Sequence, residues 1–155
     1  AMAERPDVGE APYLLVYDFD NSDSIRRLAE NIAAENGWKI YSIFELPYAE
    51  RCFSLCGPET FLGLVQGAAF VLSNSFHATA FSVIFEREFA VVERTEKINT
   101  RMRDFTALLG LSDRMVTEIA NVPFNTDWTQ VERRLAGEIH HSKAYIDEVL
   151  RDVKQ

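Results

Sequence analysis

The chain has 155 residues, 47% of them hydrophobic and 26% charged, with a net charge of −8. That length suits one domain of ordinary size and excludes most complete two-domain enzymes, and the composition excludes a disordered or fibrous chain. The acidic balance is the wrong sign for gripping nucleic acid through its phosphates over a broad surface, so no nucleic-acid partner is expected.

Residues 1–12 have neither a basic start nor a hydrophobic stretch, and no apolar run approaches 18 residues. A signal peptide and a membrane span are therefore not expected, and the expected location is cytoplasmic. Ala1 to Ala3 read as a cloning scar, and Glu4 to Ala11, with Pro6 and Gly9, as a linker from something upstream. Pro12 to Tyr17 (PYLLVY) is the near-continuous apolar run of a strand buried on both faces. Asn21 to Asp23 supplies helix-capping chemistry. Ile25, Leu28, Ala29, Ile32 and Ala33 then recur at helical spacing until Asn36-Gly37. Trp38 to Phe44 reads as a second strand, and Glu45 to Cys56, without a sustained period, as a loop. Cys52 and Cys56 lack a nearby His to complete a zinc set, so two free thiols are expected and no metal.

Gly57-Pro58-Glu59 opens a second helix with Pro in its first turn, ending near Gly67. Ala69 to Leu72 is a short buried strand, Ser73-Asn74-Ser75 a turn, and Phe76 to Phe85 a helix apolar almost all round and therefore buried. Glu88 to Val92 is the next strand, Asn99 to Leu109 a helix closed by Gly110, and Met115 to Thr117 a short last strand. From Thr126 to Val153 the pattern is helical, with a break expected near His140 to Ser142. Strands alternating with helices predict an α/β domain of Rossmann-like, three-layer form: a parallel sheet with helices on both faces. Ligands of such sheets sit beyond the carboxyl ends of the strands, which singles out the segments 18–23, 73–77 and 93–100.

At Ser73 to Thr79 a buried strand turns within three small polar residues into a buried helix. The unpaired N–H groups of that helix's first turn, with the positive end of its dipole, make an anion site without a cationic side chain, and the Ser73, Ser75 and Thr79 hydroxyls are candidate donors. The alternative reading is that Ser75 only caps the helix and Asn74 only turns the chain. His77, in that first turn, is the candidate for proton transfer near neutral pH, against the alternative of a structural, hydrogen-bonded imidazole. Arg94, Lys97, Arg101 and Arg103 outnumber Glu93 and Glu96 in the next such segment, which is either a second anion contact or a solvated helix face. Asp18 and Asp20 evoke the DxD nucleophile loop of haloacid-dehalogenase-like phosphatases, but no later paired acid completes their magnesium site. His140 and His141 are adjacent, face different sides of any helix, and read as surface residues.

GPETFLGLVQGAAFVLSNSFHATAFSVIFEREFAVV, residues 57–92, resembles the polysaccharide pyruvyl transferase family, whose pattern runs G-P-x-x-F-L, an apolar strand, S-F-H-[GA]-T and F-S. Downstream, NTRMRDFTALLGLSDR (Asn99 to Arg114) resembles the family's N-x-R and leucine-rich helix. The resemblance implies the C-terminal half of a fold similar to glycosyltransferase B enzymes, with the partner N-terminal domain outside this chain. It implies transfer of pyruvyl from phosphoenolpyruvate to paired hydroxyls of a glycan acceptor as a ketal in exopolysaccharide or cell-wall synthesis, with no cofactor. His77 would be acid, base or phosphate ligand. Ser73, Asn74, Ser75, Phe76, Thr79, Asn99 and Arg101 would line the donor site. Several characterised members carry Arg two residues before the His, where this chain has Ser75. Two further readings stand beside it: a glycosyltransferase of similar fold using a nucleotide sugar, and a non-catalytic scaffold that keeps the fold.

Overall fold

In the computed structural model, residues 6–93, 100–116 and 124–152 are described. Asn99, Arg94 and Lys97 lie outside the described residues. The elements run β1 (Tyr13–Tyr17), α1 (Asp23–Asn36), β2 (Lys39–Ser42), β3 (Arg51–Cys52), α2 (Pro58–Gly67), β4 (Phe70–Ser73), α3 (Phe76–Ile84), β5 (Phe89–Val92), α4 (Thr100–Leu109), β6 (Met115–Val116) and α5 (Trp128–Asp152). The strands form one sheet in the order β3-β2-β1-β4-β5-β6, and among the described residues each strand pairs in parallel with its neighbours. The chain thus winds outward from β1 one way, returns to β4, and winds outward the other way, so the strand order reverses between β1 and β4.

Period-two alternation divides the core. Tyr13 and Leu15 of β1 join Val71, Phe89 and Val91 on the face that receives α2, α3, α4 and the start of α5. Leu14 and Val16 join Ile40, Phe70, Leu72, Ala90 and Val92 on the face that receives Ile25, Leu28, Ala29 and Ile32 of α1. All five α1 positions expected from the periodicity are buried. Ser22 caps this helix, its hydroxyl accepting from the Ile25 N–H, and Gly37 closes it with a left-handed φ of 67° that a residue with a Cβ adopts only at a cost. On the other face, α2 approaches β1 so closely that a Cβ on Gly67 would lie 2.8 Å from the Tyr13 hydroxyl oxygen. That hydroxyl donates to the Leu64 carbonyl at 2.6 Å, and burial pushes its pKa up to about 12.

Two expectations differ from the structure, at residues 45–56 and in α5. The stretch read as a loop contains β3, only two residues long, pairing with β2 as an edge strand whose exposed Arg51 gives no apolar signal. Ahead of β1, the Tyr41 hydroxyl donates to the Val8 carbonyl at 3.1 Å, and Arg51 donates to the Asp7 carbonyl. Helix α5 is unbroken through His140 to Ser142. Trp128, Val131 and Leu135 seat its first turns on the core, whereas residues 139–151 are exposed, so no neighbour pulls the chain out of helix there. No described helix is long and apolar enough to cross a membrane.

Candidate functional site

The register that pairs Tyr17 with Ser73 puts the next residues, Asp18 and Asn74, side by side at the carboxyl ends of β1 and β4, where the strand order reverses. Both are buried. Asn74 donates through Nδ2 to Asp18 Oδ1 at 2.7 Å, and its Oδ1 accepts the Phe19 N–H at 3.2 Å. Asp18 also accepts from the Asp20 N–H at 3.0 Å and the Ser22 N–H at 2.7 Å. Asn74 therefore does more than turn the chain: both ends of its amide tie the β4–α3 turn to the β1–α1 loop. Asp18, with its oxygens occupied by these donors, is a brace for that loop. Its place at a strand end, opposite another strand-end polar residue, was the available signal for this pairing.

Ser73 and Ser75 are also buried. Ser75 is the N-cap residue of α3 in extended conformation, but its side chain makes no capping hydrogen bond. The first intrahelical bond runs from the Thr79 N–H to the Ser75 carbonyl at 3.1 Å. The N–H groups of Phe76, His77 and Ala78 precede it and have no acceptor within the helix, which leaves the positive end of α3 facing the carboxyl edge. Thr79 is fully buried and its hydroxyl donates to the Ser75 carbonyl at 2.9 Å, while Ser82 bonds back to Ala78 at 2.8 Å. This back-bonding satisfies polar side chains inside an otherwise apolar helix and turns the Thr79 hydroxyl proton inward.

His77 projects into solvent in the first turn of α3. Beside it the Phe76 ring is half-buried, 6.2 Å from the imidazole and 5.5 Å from Phe105, centroid to centroid. The Arg101 guanidinium, from the first turn of α4, lies 5.1 Å from the Phe76 ring centroid. A cation over an aromatic face is attracted by the ring quadrupole, so Phe76 draws a positive charge from α4 to the open N-terminus of α3. Composition and spacing gave no sign of this pairing. Arg103, in contrast, is engaged by Glu93, with Nε at 2.8 Å and Nη2 at 2.6 Å from the two carboxylate oxygens. The hydrogen bond from Arg103 holds the Glu93 carboxyl below its usual range. A carboxyl with a depressed folded-state pKa stabilises above its unfolded value, and that contribution is lost as pH falls through the folded one. In Arg103→Gln the Glu93 carboxyl is expected to titrate back near the ordinary range in a carboxyl-detected NMR titration. An unchanged midpoint would assign the depression to another group.

The architecture is that of Rossmann-like α/β modules. Among solved structures the chain is similar to a glycotransferase of kitacinnamycin, at 16% identity and a TM-score of 0.52 over 88% of this chain and 40% of that one. It is also similar to the UDP-GlcNAc 2-epimerase from Neisseria meningitidis, at 8% identity and a TM-score of 0.49 over 89% of this chain and 38% of that one. The chain thus spans less than half the length of either. No curated protein matches it in sequence. The sequence pattern of one family, polysaccharide pyruvyl transferase, matches residues 4–96, more than half of the chain, and the chain belongs to that family. The match includes the whole β4–α3 junction with His77 and begins inside the segment that reads as a linker. Arg101 lies beyond it.

Proposed function

We propose that this domain forms the donor-binding wall of a pyruvyl transferase that takes phosphoenolpyruvate and leaves pyruvate as a cyclic ketal on two hydroxyls of a glycan. The observation that carries the reading is the exposed His77 at the open N-terminus of α3, with the Arg101 guanidinium held over the adjoining Phe76 ring. Phosphoenolpyruvate bears a phosphate and a carboxylate. The N–H groups of the first turn take one of them and Arg101 the other, by charge-assisted hydrogen bonds. Asn99, two residues before Arg101 in the sequence, is a further proposed donor-site residue.

In the reaction the methylene carbon gains a proton, the central carbon forms bonds to two sugar oxygens, and phosphate leaves while the two hydroxyl protons are released. His77 is the group within this domain proposed to deliver or accept those protons, since an imidazole has one ring nitrogen that can donate and one that can accept. An imidazolium at a helix N-terminus is opposed by the dipole, and a bound anion offsets that field. The second wall of the cleft, with the residues that grip the acceptor, comes from a domain outside this chain. A cytoplasmic setting, where phosphoenolpyruvate is made, goes with this reading.

The test is NMR titration of the 15N-labelled chain with phosphoenolpyruvate. Shifts are expected at Phe76, His77, Ala78 and Arg101, with affinity falling at least about tenfold in His77→Ala and in Arg101→Gln, as for loss of a charge-assisted contact. Unchanged binding in both variants would remove the assignment. Shifts at the same residues with UDP-sugars but not with phosphoenolpyruvate would replace it by glycosyl transfer, the second reading, which the likeness in fold to a glycotransferase favours.

A further inference from the structure

Two arginines stand in the first turn of α4, and their partners differ. Met102, between them, is buried on the core side. At about 100° of turn per residue, Arg101 and Arg103 therefore flank it on opposite sides. On one flank the Arg101 guanidinium lies over the Phe76 ring of α3. On the other, Arg103 grips Glu93 through Nε and Nη2, one to each carboxylate oxygen. Glu93 is a firm post, since it follows β5 directly and its N–H donates to the Val116 carbonyl of β6 at 3.2 Å. Among the described residues Arg101 makes no ion pair. The acid at the end of β5 thus takes one arginine and leaves the other beside the open N-terminus of α3.

We propose that Glu93 and Arg103 are positioning residues: their two-pronged pair sets the roll of the first turn of α4 and so holds Arg101 over Phe76, where the anion site needs a cation. This role rests on the reading of the α3 N-terminus as the donor site and names what places its cation. The first turn is the part of a helix least able to hold itself, because its N–H groups lack intrahelical acceptors. Met102 guides the roll weakly, being unbranched and adaptable. A planar guanidinium that meets a carboxylate with two parallel hydrogen bonds fixes direction as well as distance, which a point charge does not. With 56% of the Arg103 side chain exposed, the pair adds little to overall stability, and its effect is on geometry. A cation over a ring at an exposed site is held weakly, so Arg101 leaves Phe76 once the turn rolls. Phe105, packed on Phe76 one turn later at 5.5 Å between centroids, keeps α4 docked and confines the change to the first turn.

The experiment uses the 155-residue chain, labelled with 13C and 15N, with and without phosphoenolpyruvate. In Glu93→Gln and in Arg103→Gln, nuclear Overhauser contacts between the Arg101 side chain and the Phe76 ring are expected to weaken. Phosphoenolpyruvate affinity is expected to fall by about threefold to tenfold, part of the loss in Arg101→Gln. The charge-exchanged variant Glu93→Arg/Arg103→Glu is expected to recover both, with urea midpoints close to wild type throughout. Added to Arg101→Gln, Glu93→Gln is expected to cost no further affinity, which separates action through Arg101 from a general loosening. Arg101 contacts unchanged in both single variants overturn the clamp, as does an affinity loss that adds in full to that of Arg101→Gln. A wild-type chain that binds no phosphoenolpyruvate, with Arg101 leaving the ring in the single variants, keeps the clamp and removes the donor reading. Binding by the wild type, with Arg101 unmoved in the single variants, keeps the donor reading and removes the clamp.

Discussion

Glu88→Ala is expected to destabilise the domain by about 3 kcal/mol, the lower end of the range for breaking a buried ion pair, since Arg114 keeps Asp113 nearby. Arg114 is 2% exposed, and its Nη1 donates to Glu88 Oε2 at 2.7 Å. Glu88 also accepts the Thr126 N–H through Oε1 at 3.0 Å and the Thr126 hydroxyl through Oε2 at 3.0 Å. One carboxylate just ahead of β5 therefore joins the turn before β6 to the segment leading into α5. Removing it takes the 2.7 Å carboxylate from a buried guanidinium, whose Nε still has Asp113 at 3.7 Å, and releases that segment. Arg114→Met is expected to cost less, because Glu88, with 19% of its side chain exposed, keeps both Thr126 bonds and some water. Urea unfolding followed by circular dichroism measures both, and the double variant is expected to recover part of the Glu88→Ala loss. A Glu88→Ala loss below about 1 kcal/mol, the level of a surface pair, would mean that Arg114 finds another partner.

The second large effect is expected at Asp18. Asp18→Ala removes the acceptor of three donors at once, namely the N–H groups of Asp20 and Ser22 and the Asn74 amide. At roughly 1 kcal/mol for each hydrogen bond, and more where a donor stays buried, the loss is about 3 kcal/mol. Asp18→Asn is expected to fall only part of the way back, since one of its two end groups is an NH2 facing donors. Asn74→Ala breaks one of the same contacts together with the Phe19 N–H bond, and leaves Asp18 with its loop N–H groups, so its loss is smaller. Hydrogen exchange gives the spatial check: in Asp18→Ala the amides of residues 19–22 lose protection first, while the α1 and α3 interiors keep theirs. Uniform loss across the domain would mean that the brace is not local.

Both effects belong to groups whose types are visible in the sequence and whose partners are not. In sequence Asp18 evokes only a phosphatase-like DxD loop, and Asn74 reads as a turn residue. Only the parallel register of β1 with β4, 56 residues apart in the chain, makes each the other's partner. The same holds at the proposed anion site. The Ser73 to Thr79 junction and His77 are local features, a strand-to-helix turn with an unpaired first turn, and local features are written in contiguous residues. Arg101 was a candidate because of its charge, but its place depends on Phe76 and on the packing of α4 beside α3. Thr79 was a candidate because of its hydroxyl, and the helix turned that hydroxyl back onto Ser75.

By itself the sequence determined the α/β class, five of the six strands within a residue or two, the caps of α1, the strand-to-helix junction ahead of α3 and the family pattern around His77. Each depends on hydrophobic period, on Gly, Pro and small polar punctuation, or on a contiguous motif, all short-range properties of the chain. Tertiary structure decided the β3 edge pairing, the continuity of α5, the Asp18–Asn74 brace, the Glu88–Arg114 pair and the Glu93–Arg103 pair. These depend on which strands become neighbours. Hydrophobic burial is non-directional and sets only what lies inside, whereas sheet register and side-chain hydrogen bonds choose specific partners once distant segments have been brought together.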